Sequence, residues 1–221
     1  DVYKRQILLQ EPHPRYNPDV PGSVVFKRPN AKHQELFGRK QPVVDVVLDP
    51  DLARILRPHQ IEGVKFMYEA VTGISSLEQG HTTPGQGAIL ADEMGLGKTL
   101  QTIALIATLL RQNCYFSNIR PGTVEKVLIV CPLTLVVNWK REFRKWIGRS
   151  SIGVLAVEGD GRKEVDRFVS HRQYQVLILG YERLRNCVQE LSRAMPGVGL
   201  VVCDEGHRLK SKDTKTTKCF D

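Results

Sequence analysis

Short apolar runs recur along the last two-thirds of the chain, at residues 87–91, 127–131, 153–157, 176–179 and 200–203. Most are apolar at consecutive positions rather than alternate ones. That pattern suits strands covered on both faces, as in a parallel sheet. Between them, residues 98–111, 135–147, 163–171 and 181–193 carry apolar side chains at helical spacing. Strand and helix alternate, which predicts an α/β fold with an open parallel sheet flanked by helices. Ligands of such sheets bind at the carboxyl ends of the strands. Polar residues directly after each run are therefore the candidate site.

Upstream the texture differs. Residues 52–71 have helical spacing (Val64, Met67, Tyr68, Val71), broken near the start by Pro58. Eight of the twelve prolines fall in the first 60 residues. Residues 1–50 are expected to form an irregular arm, because Pro12, Pro14, Pro18, Pro21 and Pro29 break any long helix. A folded domain is expected over 51–221. Residues 73–86 are rich in Gly, Ser and Thr and predict a loop, and no internal repeat is visible.

Composition narrows the class. With 221 residues, 41% apolar and 25% charged, collagen, low-complexity disorder and a disulfide scaffold are excluded. The longest apolar run, 127–137, is interrupted by Pro132 and is too short to span a bilayer. No membrane association is expected. The N-terminus has no secretory core and no initiator Met, which suggests part of a longer protein. The five cysteines form no C-x-x-C pair, which fits small buried hydrophobes in a reducing compartment. A net charge of +8 favours a polyanionic partner. Phe26-Lys27-Arg28-Pro29 and Arg39-Lys40 place part of that charge in the arm, as either a solvated linker or a DNA contact.

The candidate chemistry follows the run Ala88-Ile89-Leu90-Ala91. Asp92-Glu93-Met94-Gly95-Leu96-Gly97-Lys98-Thr99 is a Gly-rich segment leading into a helix. Glycines let the backbone curl so that its N–H groups face phosphate oxygens, and the helix N-terminus adds a positive dipole end. Lys98 is suited to the β- and γ-phosphates of ATP, and the Thr99 hydroxyl to Mg²⁺. Asp92 stands where the general G-x-x-x-x-G-K-T pattern has its first Gly. A second part is needed, a carboxylate at a strand end. Leu200-Val201-Val202-Cys203 runs straight into Asp204-Glu205-Gly206-His207. Asp204 is placed to bind Mg²⁺ through water, and Glu205 to orient or deprotonate the attacking water.

DEMGLGKT (92–99) and DEGH (204–207) resemble motifs I and II of the SWI/SNF-type DNA-translocating ATPases, within helicase superfamily two. That family's phosphate loop begins with Asp, so Asp92 conforms to it. Leu56-Arg57-Pro58-His59-Gln60 resembles its Q motif, which implies that Gln60 reads the adenine edge. Residues 131–143, from Cys131-Pro132-Leu133 to Trp139-Lys140-Arg141-Glu142-Phe143, look like motif Ia. Leu179-Gly180-Tyr181-Glu182 stands in the place of motif Ib, with Gly180 where Ser is usual. LRPHQIEGVKF, ADEMGLGKTLQ and CDEGHRLK are similar to the recombination-repair branch, the Rad-fifty-four type. The segment at 26–29, with VVDVVLDPDL ahead of the Q motif, leans toward its meiotic members. Ser211 stands where that branch commonly has Asn.

The resemblance implies the first of two RecA-like lobes, with ATP hydrolysis driving movement along double-stranded DNA. It also implies a nuclear protein working with the strand-exchange recombinase and on chromatin. Trp139, Phe143 and Trp146 form a stripe expected to pack on the sheet. Lys140, Arg141, Arg144 and Lys145 lie off it and suit either phosphate or a solvated face. The helix start near Thr134 suits a backbone phosphate, and motif Ia contacts DNA in the family. Arg208 and Lys210, with Lys212, Lys215 and Lys218, add a basic tail. Motif III and a second lobe bearing an arginine finger would follow beyond residue 221. Without them the chain is expected to bind ATP and barely hydrolyse it. An RNA helicase lobe and a non-hydrolysing nucleotide-binding scaffold are the alternatives. DEGH in place of D-E-A-D argues against the first, and intact Lys98, Thr99, Asp204 and Glu205 against the second.

Overall fold

The computed structural model describes residues 11–36, 40–75, 87–148, 151–209 and 219. The chain divides into two compact units, Asp1–Thr123 and Val124–Asp221.

The second unit holds the sheet. Strands β1 (Lys126–Cys131), β2 (Gly153–Ala156), β3 (Tyr174–Gly180) and β4 (Val198–Cys203) lie in the order β2-β3-β1-β4. All pairings are parallel: Val127 to Cys131 face Val176 to Gly180, and Val127 to Val130 face Leu200 to Cys203. Parallel neighbours need crossovers, and helices α5 (Val136–Ile147), α6 (Arg162–Ser170) and α7 (Tyr181–Leu191) supply them. A single turn of 3-10 helix, Leu133–Leu135, leads into α5.

The apolar spacing explains which faces are buried. In α5 the buried stripe is Val136, Trp139, Phe143 and Ile147. Trp146 is not part of it. Its indole donates to Glu142 Oε2 at 2.7 Å, and Lys145 lies over its ring. One core cluster joins Leu128 and Val130 of β1, Leu177 and Leu179 of β3, Phe168 of α6, and Tyr181 and Leu184 of α7. Burying each such side chain contributes about 1.5–3 kcal/mol.

Lys126 is a charged residue inside this core. Its side chain is wholly buried. The ammonium donates to the carbonyls of Phe168, His171 (3.0 Å) and Tyr174 (3.1 Å). Those carbonyls end α6 and begin β3, so one side chain ties β1 to that connection. Burial pushes its pKa down, and the Arg172 charge adds to this.

The first unit has helices α1 (Ala31–Leu36), α2 (Pro50–Ala53), α3 (Pro58–Thr72) and α4 (Lys98–Arg111). Pro58 opens α3, where a missing N–H costs nothing, and Gly73 closes it in the left-handed conformation. Helix α4 is buried from Leu100 to Leu110 except Thr102, and α3 packs on it.

Two expectations change here. Residues 87–91 form no strand, and Ile89 is 86% exposed. The run is four apolar residues, two of them Ala, and among the described residues it carries no ladder hydrogen bonds. Apolar content alone does not make a strand without a paired neighbour. The described part of residues 1–50 holds the short helix α1 and little other regular structure, and much of it is not solvated. Phe26 and Val44 to Leu48, Asp45 apart, are buried. Val25 bridges Val47 and Val43 bridges Tyr115. The Gln112 side chain satisfies both backbone groups of Val47, at 3.1 and 2.7 Å. Arg28 grips Asp45 through two hydrogen bonds of 2.5 and 2.6 Å, so that charge is already paired.

Candidate functional site

In the first unit the segment Asp92–Thr99 is a tight loop. Gly95 (φ 87) and Gly97 (φ 81) are both left-handed, a conformation that side chains disfavour. Gly97 is also the N-cap of α4, so it supplies no side chain to the first free N–H groups of that helix. Those groups, with the dipole of a buried helix behind them, form an anion-binding end. Met94 is 95% exposed at the tip of the loop. Lys98 bends back on the loop, its ammonium donating to the carbonyls of Asp92 (2.8 Å) and Glu93 (3.0 Å).

Two glutamines hold the loop from beneath. Gln60, third residue of α3, accepts the Arg57 N–H at 2.9 Å, as a capping side chain does. Its amide donates to the Leu96 carbonyl at 3.0 Å. A Cβ on Gly97 would sit 2.3 Å from that amide nitrogen, so this close approach needs glycine. Gln101, wholly buried, donates to Asp92 Oδ2 at 3.0 Å. The Asp that replaces the usual first Gly therefore has a partner one turn into the following helix. Sequence reasoning missed Gln101; the signal was an amide side chain beside the long apolar run of this helix.

In the second unit the acidic pair ends β4. The Asp204 N–H donates to the Val130 carbonyl at 2.8 Å, extending the ladder by one residue. Asp204 Oδ2 accepts the Trp139 indole N–H at 2.8 Å, and Oδ1 accepts the Glu205 N–H at 3.0 Å. Tyr181 donates its hydroxyl to the Asp204 carbonyl at 2.7 Å. Burial first, and then nearby Cys203 and Asp204, push the Tyr181 pKa well up, so it stays a donor. Cys131, beside this site, is pushed up to about 12, mainly by burial. It is an inert thiol there.

Glu205 has a φ of 56, in the left-handed region. A non-glycine residue held there costs of order 1–3 kcal/mol, and such strain clusters at functional sites. The carboxylate is half exposed, with Oε2 3.2 Å from His207 Nδ1. A single 3-10 turn, Gly206–Leu209, follows.

The donor chemistry fits Mg²⁺. Among the described residues each Asp204 carboxylate oxygen accepts one hydrogen bond and keeps a lone pair, and the group is only partly buried. Among the described residues no group of three or more His, Cys, Asp or Glu could cage a metal. Mg²⁺ needs no such cage: it binds through one or two carboxylates together with substrate phosphates.

The expected nucleic-acid contacts divide. Thr134 is exposed in the turn before α5. Lys140 is paired with Glu158 at 2.6 Å. Arg208 is paired with Glu182 at 3.3 Å and lies over the Tyr181 ring. Lys210, with Lys212, Lys215 and Lys218, lies outside the described residues.

The SNF2-related domain model matches residues 59–221. The chain belongs to the SNF2-related domain family. It is 47% identical to the DNA repair and recombination protein RAD54B of Gallus gallus, covering 97% of this chain and 22% of that protein. It is 45% identical to the RAD54B of Homo sapiens, covering 96% and 22%. It is 42% identical to the DNA repair and recombination protein RDH54 of Saccharomyces cerevisiae (strain ATCC 204508 / S288c), covering 80% and 22%. The SNF2-related chain thus spans about a fifth of the length of these curated relatives. Among solved structures it matches the SWI2/SNF2 ATPase core of Sulfolobus solfataricus in complex with dsDNA. There the TM-score is 0.55 and the identity 28%, covering 74% of this chain and 29% of that one. The parallel α/β architecture and the Rad54-type resemblance drawn from the motif strings are both borne out.

Proposed function

We propose that this SNF2-related chain is the ATP-binding part of a motor that moves on duplex DNA in recombinational repair. The phosphate loop carries the reading: two left-handed glycines deliver Lys98 and Thr99 to the start of a buried helix. The loop's free N–H groups bind the β- and γ-phosphates of ATP. Lys98 leaves its two carbonyl partners to neutralise them, and Gln60 meets the adenine edge. Glu93, Met94 and Leu96 complete the loop around the nucleotide. The Thr99 hydroxyl and Asp204 hold Mg²⁺, which when bound withdraws charge from the phosphates. Glu205 orients the attacking water and accepts its proton.

Duplex DNA meets the second unit through its phosphates. The exposed turn at Thr134 supports this, as does the solved relative's complex with dsDNA. Lys140 and Arg208 join only by exchanging their present carboxylates for phosphate. Lys210 extends the same basic segment. A strand-exchange recombinase and chromatin in the nucleus are the further partners, by kinship with recombination proteins. The arm over 1–50 and the lobe over 51–221 remain the proposed division. The 221 residues alone should turn ATP over far more slowly than a chain of the relatives' length.

The test is ATP turnover with and without duplex DNA, in both lengths, for wild type, Lys98→Ala and Glu205→Gln. In the longer chain, DNA should stimulate turnover. Glu205→Gln should abolish turnover while leaving ATP bound, and Lys98→Ala should lose ATP itself. Stimulation by RNA alone would favour an RNA helicase. Indifference to Glu205→Gln would favour a scaffold.

A further inference from the structure

Asp204 is fixed at four atoms by partners from different elements. Its N–H is taken by β1, its carbonyl by Tyr181 of α7, Oδ1 by the next peptide, and Oδ2 by Trp139 of α5. The first three hold backbone or come from the adjacent residue. Among the described residues only Trp139 brings a distant side chain to the carboxylate. The spacing of Trp139 and Phe143 accounts for packing the ring against the sheet, and a phenylalanine would serve that purpose. It does not account for an indole nitrogen aimed at a carboxylate oxygen 65 positions away at 2.8 Å.

The choice of donor matters. Lys or Arg at this position would neutralise Asp204 and compete with a cation. The indole N–H is neutral, donor-only and does not titrate. It therefore fixes the carboxylate's orientation while leaving its charge and a lone pair on each oxygen for a metal. The ring is 3% exposed, so it is itself held in place. Partners of this kind around a metal carboxylate are worth about 10–100-fold in metal affinity or activity.

We propose that Trp139 is a positioning residue, whose indole N–H sets the Asp204 carboxylate for Mg²⁺. This rests on the reading of Asp204 as the Mg²⁺ carboxylate. Helix α5 thereby does more than cover the sheet, since a shift of this helix would be felt at Asp204.

The test uses the 221-residue chain. It has two tryptophans, hence two indole N–H signals in a nitrogen-15 NMR spectrum. Trp139→Phe identifies the signal by removing it. Asp204→Asn should shift that signal and leave the Trp146 signal in place; an unmoved Trp139 signal overturns the proposal. Binding of Mn²⁺ with ATP, followed by water-proton relaxation, is the second readout. Trp139→Phe should weaken Mn²⁺ about tenfold, while ATP binding in the presence of chelator stays within about twofold. A folded Trp139→Phe protein with wild-type Mn²⁺ affinity overturns the proposal. If that variant does not fold, Trp146→Phe identifies the Trp139 signal by elimination, and that signal decides: it should move with Mn²⁺'s diamagnetic substitute, Mg²⁺, only when Asp204 is intact. Mn²⁺ affinity unchanged in Asp204→Asn would remove the reading of Asp204 itself. Loss in Asp204→Asn but not in Trp139→Phe would remove the positioning role alone.

Discussion

Gln101 donates to Asp92 across the base of the phosphate loop, Nε2 to Oδ2, at 3.0 Å. Asp92 opens the loop and Gln101 lies in the first turn of α4, so the pair closes the loop's two ends on each other. The loop shape that a first glycine would allow by freedom is here held by a bond. Gln101→Leu should leave the part-exposed Asp92 carboxylate without its amide partner, at a net cost of about 0.5–1.5 kcal/mol. ATP binding should weaken about tenfold. Isothermal titration beside thermal unfolding separates the two effects, and an unchanged ATP affinity would count against the pair's role in the loop.

Gly95 and Gly97 share nearly the same φ but not the same surroundings. A Cβ at Gly95 meets nothing within 4 Å, whereas one at Gly97 meets the Gln60 amide at 2.3 Å. Gly95→Ala should therefore lose only the conformational term, about 1–2 kcal/mol. Gly97→Ala should lose more, with ATP binding reduced at least tenfold as Gln60 is pushed off Leu96. Equal losses in the two variants would show that Gln60 is free to move aside.

Lys126→Met should remove a donor from three carbonyls at the α6–β3 connection. Leaving buried carbonyls unpaired costs about 2–3 kcal/mol, visible as a lower urea midpoint with an unchanged slope. The pH dependence has a definite sign. The folded pKa of Lys126 lies below the ordinary 10.5, so in that interval the unfolded chain binds more protons. Wild-type stability should therefore gain a contribution as pH rises toward 10.5, and Lys126→Met should lack it.

Arg28 and Asp45 give a dependence of the same sign, at acid rather than alkaline pH. The Arg28 hydrogen bonds hold the Asp45 pKa below its ordinary 3.8. A lowered carboxylate pKa adds stability above the unfolded value, lost as pH falls through the folded one. Because Arg28 is well exposed, solvent screening limits this to about 0.5–1 kcal/mol. Asp45→Asn should be that much less stable at pH 7 and indistinguishable from wild type near pH 2, by urea unfolding at each pH.

The helices and most strands were legible because their apolar spacing reports one-dimensional periodicity. The helix expected at 98–111 spans Lys98–Arg111, and the run at 127–131 became Lys126–Cys131. The run at 87–91 was the exception. Its apolar residues met the same criterion, but a strand exists only where another strand pairs with it. From the sequence, Arg28 and Lys140 suit either DNA or a solvated surface. Both are engaged by carboxylates 17 and 18 residues away, which no local pattern marks.

The order and identity of the chemical groups were written in the sequence: a Gly-rich loop with Lys-Thr, an Asp-Glu pair after an apolar run, and the family these motifs name. Those are local properties, set by residue type and spacing along a few turns of chain. How the groups are held was decided only by folding. Gln60 and Gln101 under the loop, Trp139 and Tyr181 on Asp204, and Lys126 on three carbonyls come from elements distant in the chain or from opposite ends of a motif. Hydrogen bonds of about 3 Å require donors to arrive in one place with one orientation. Packing of the helices and sheet supplies that condition, and residue order does not.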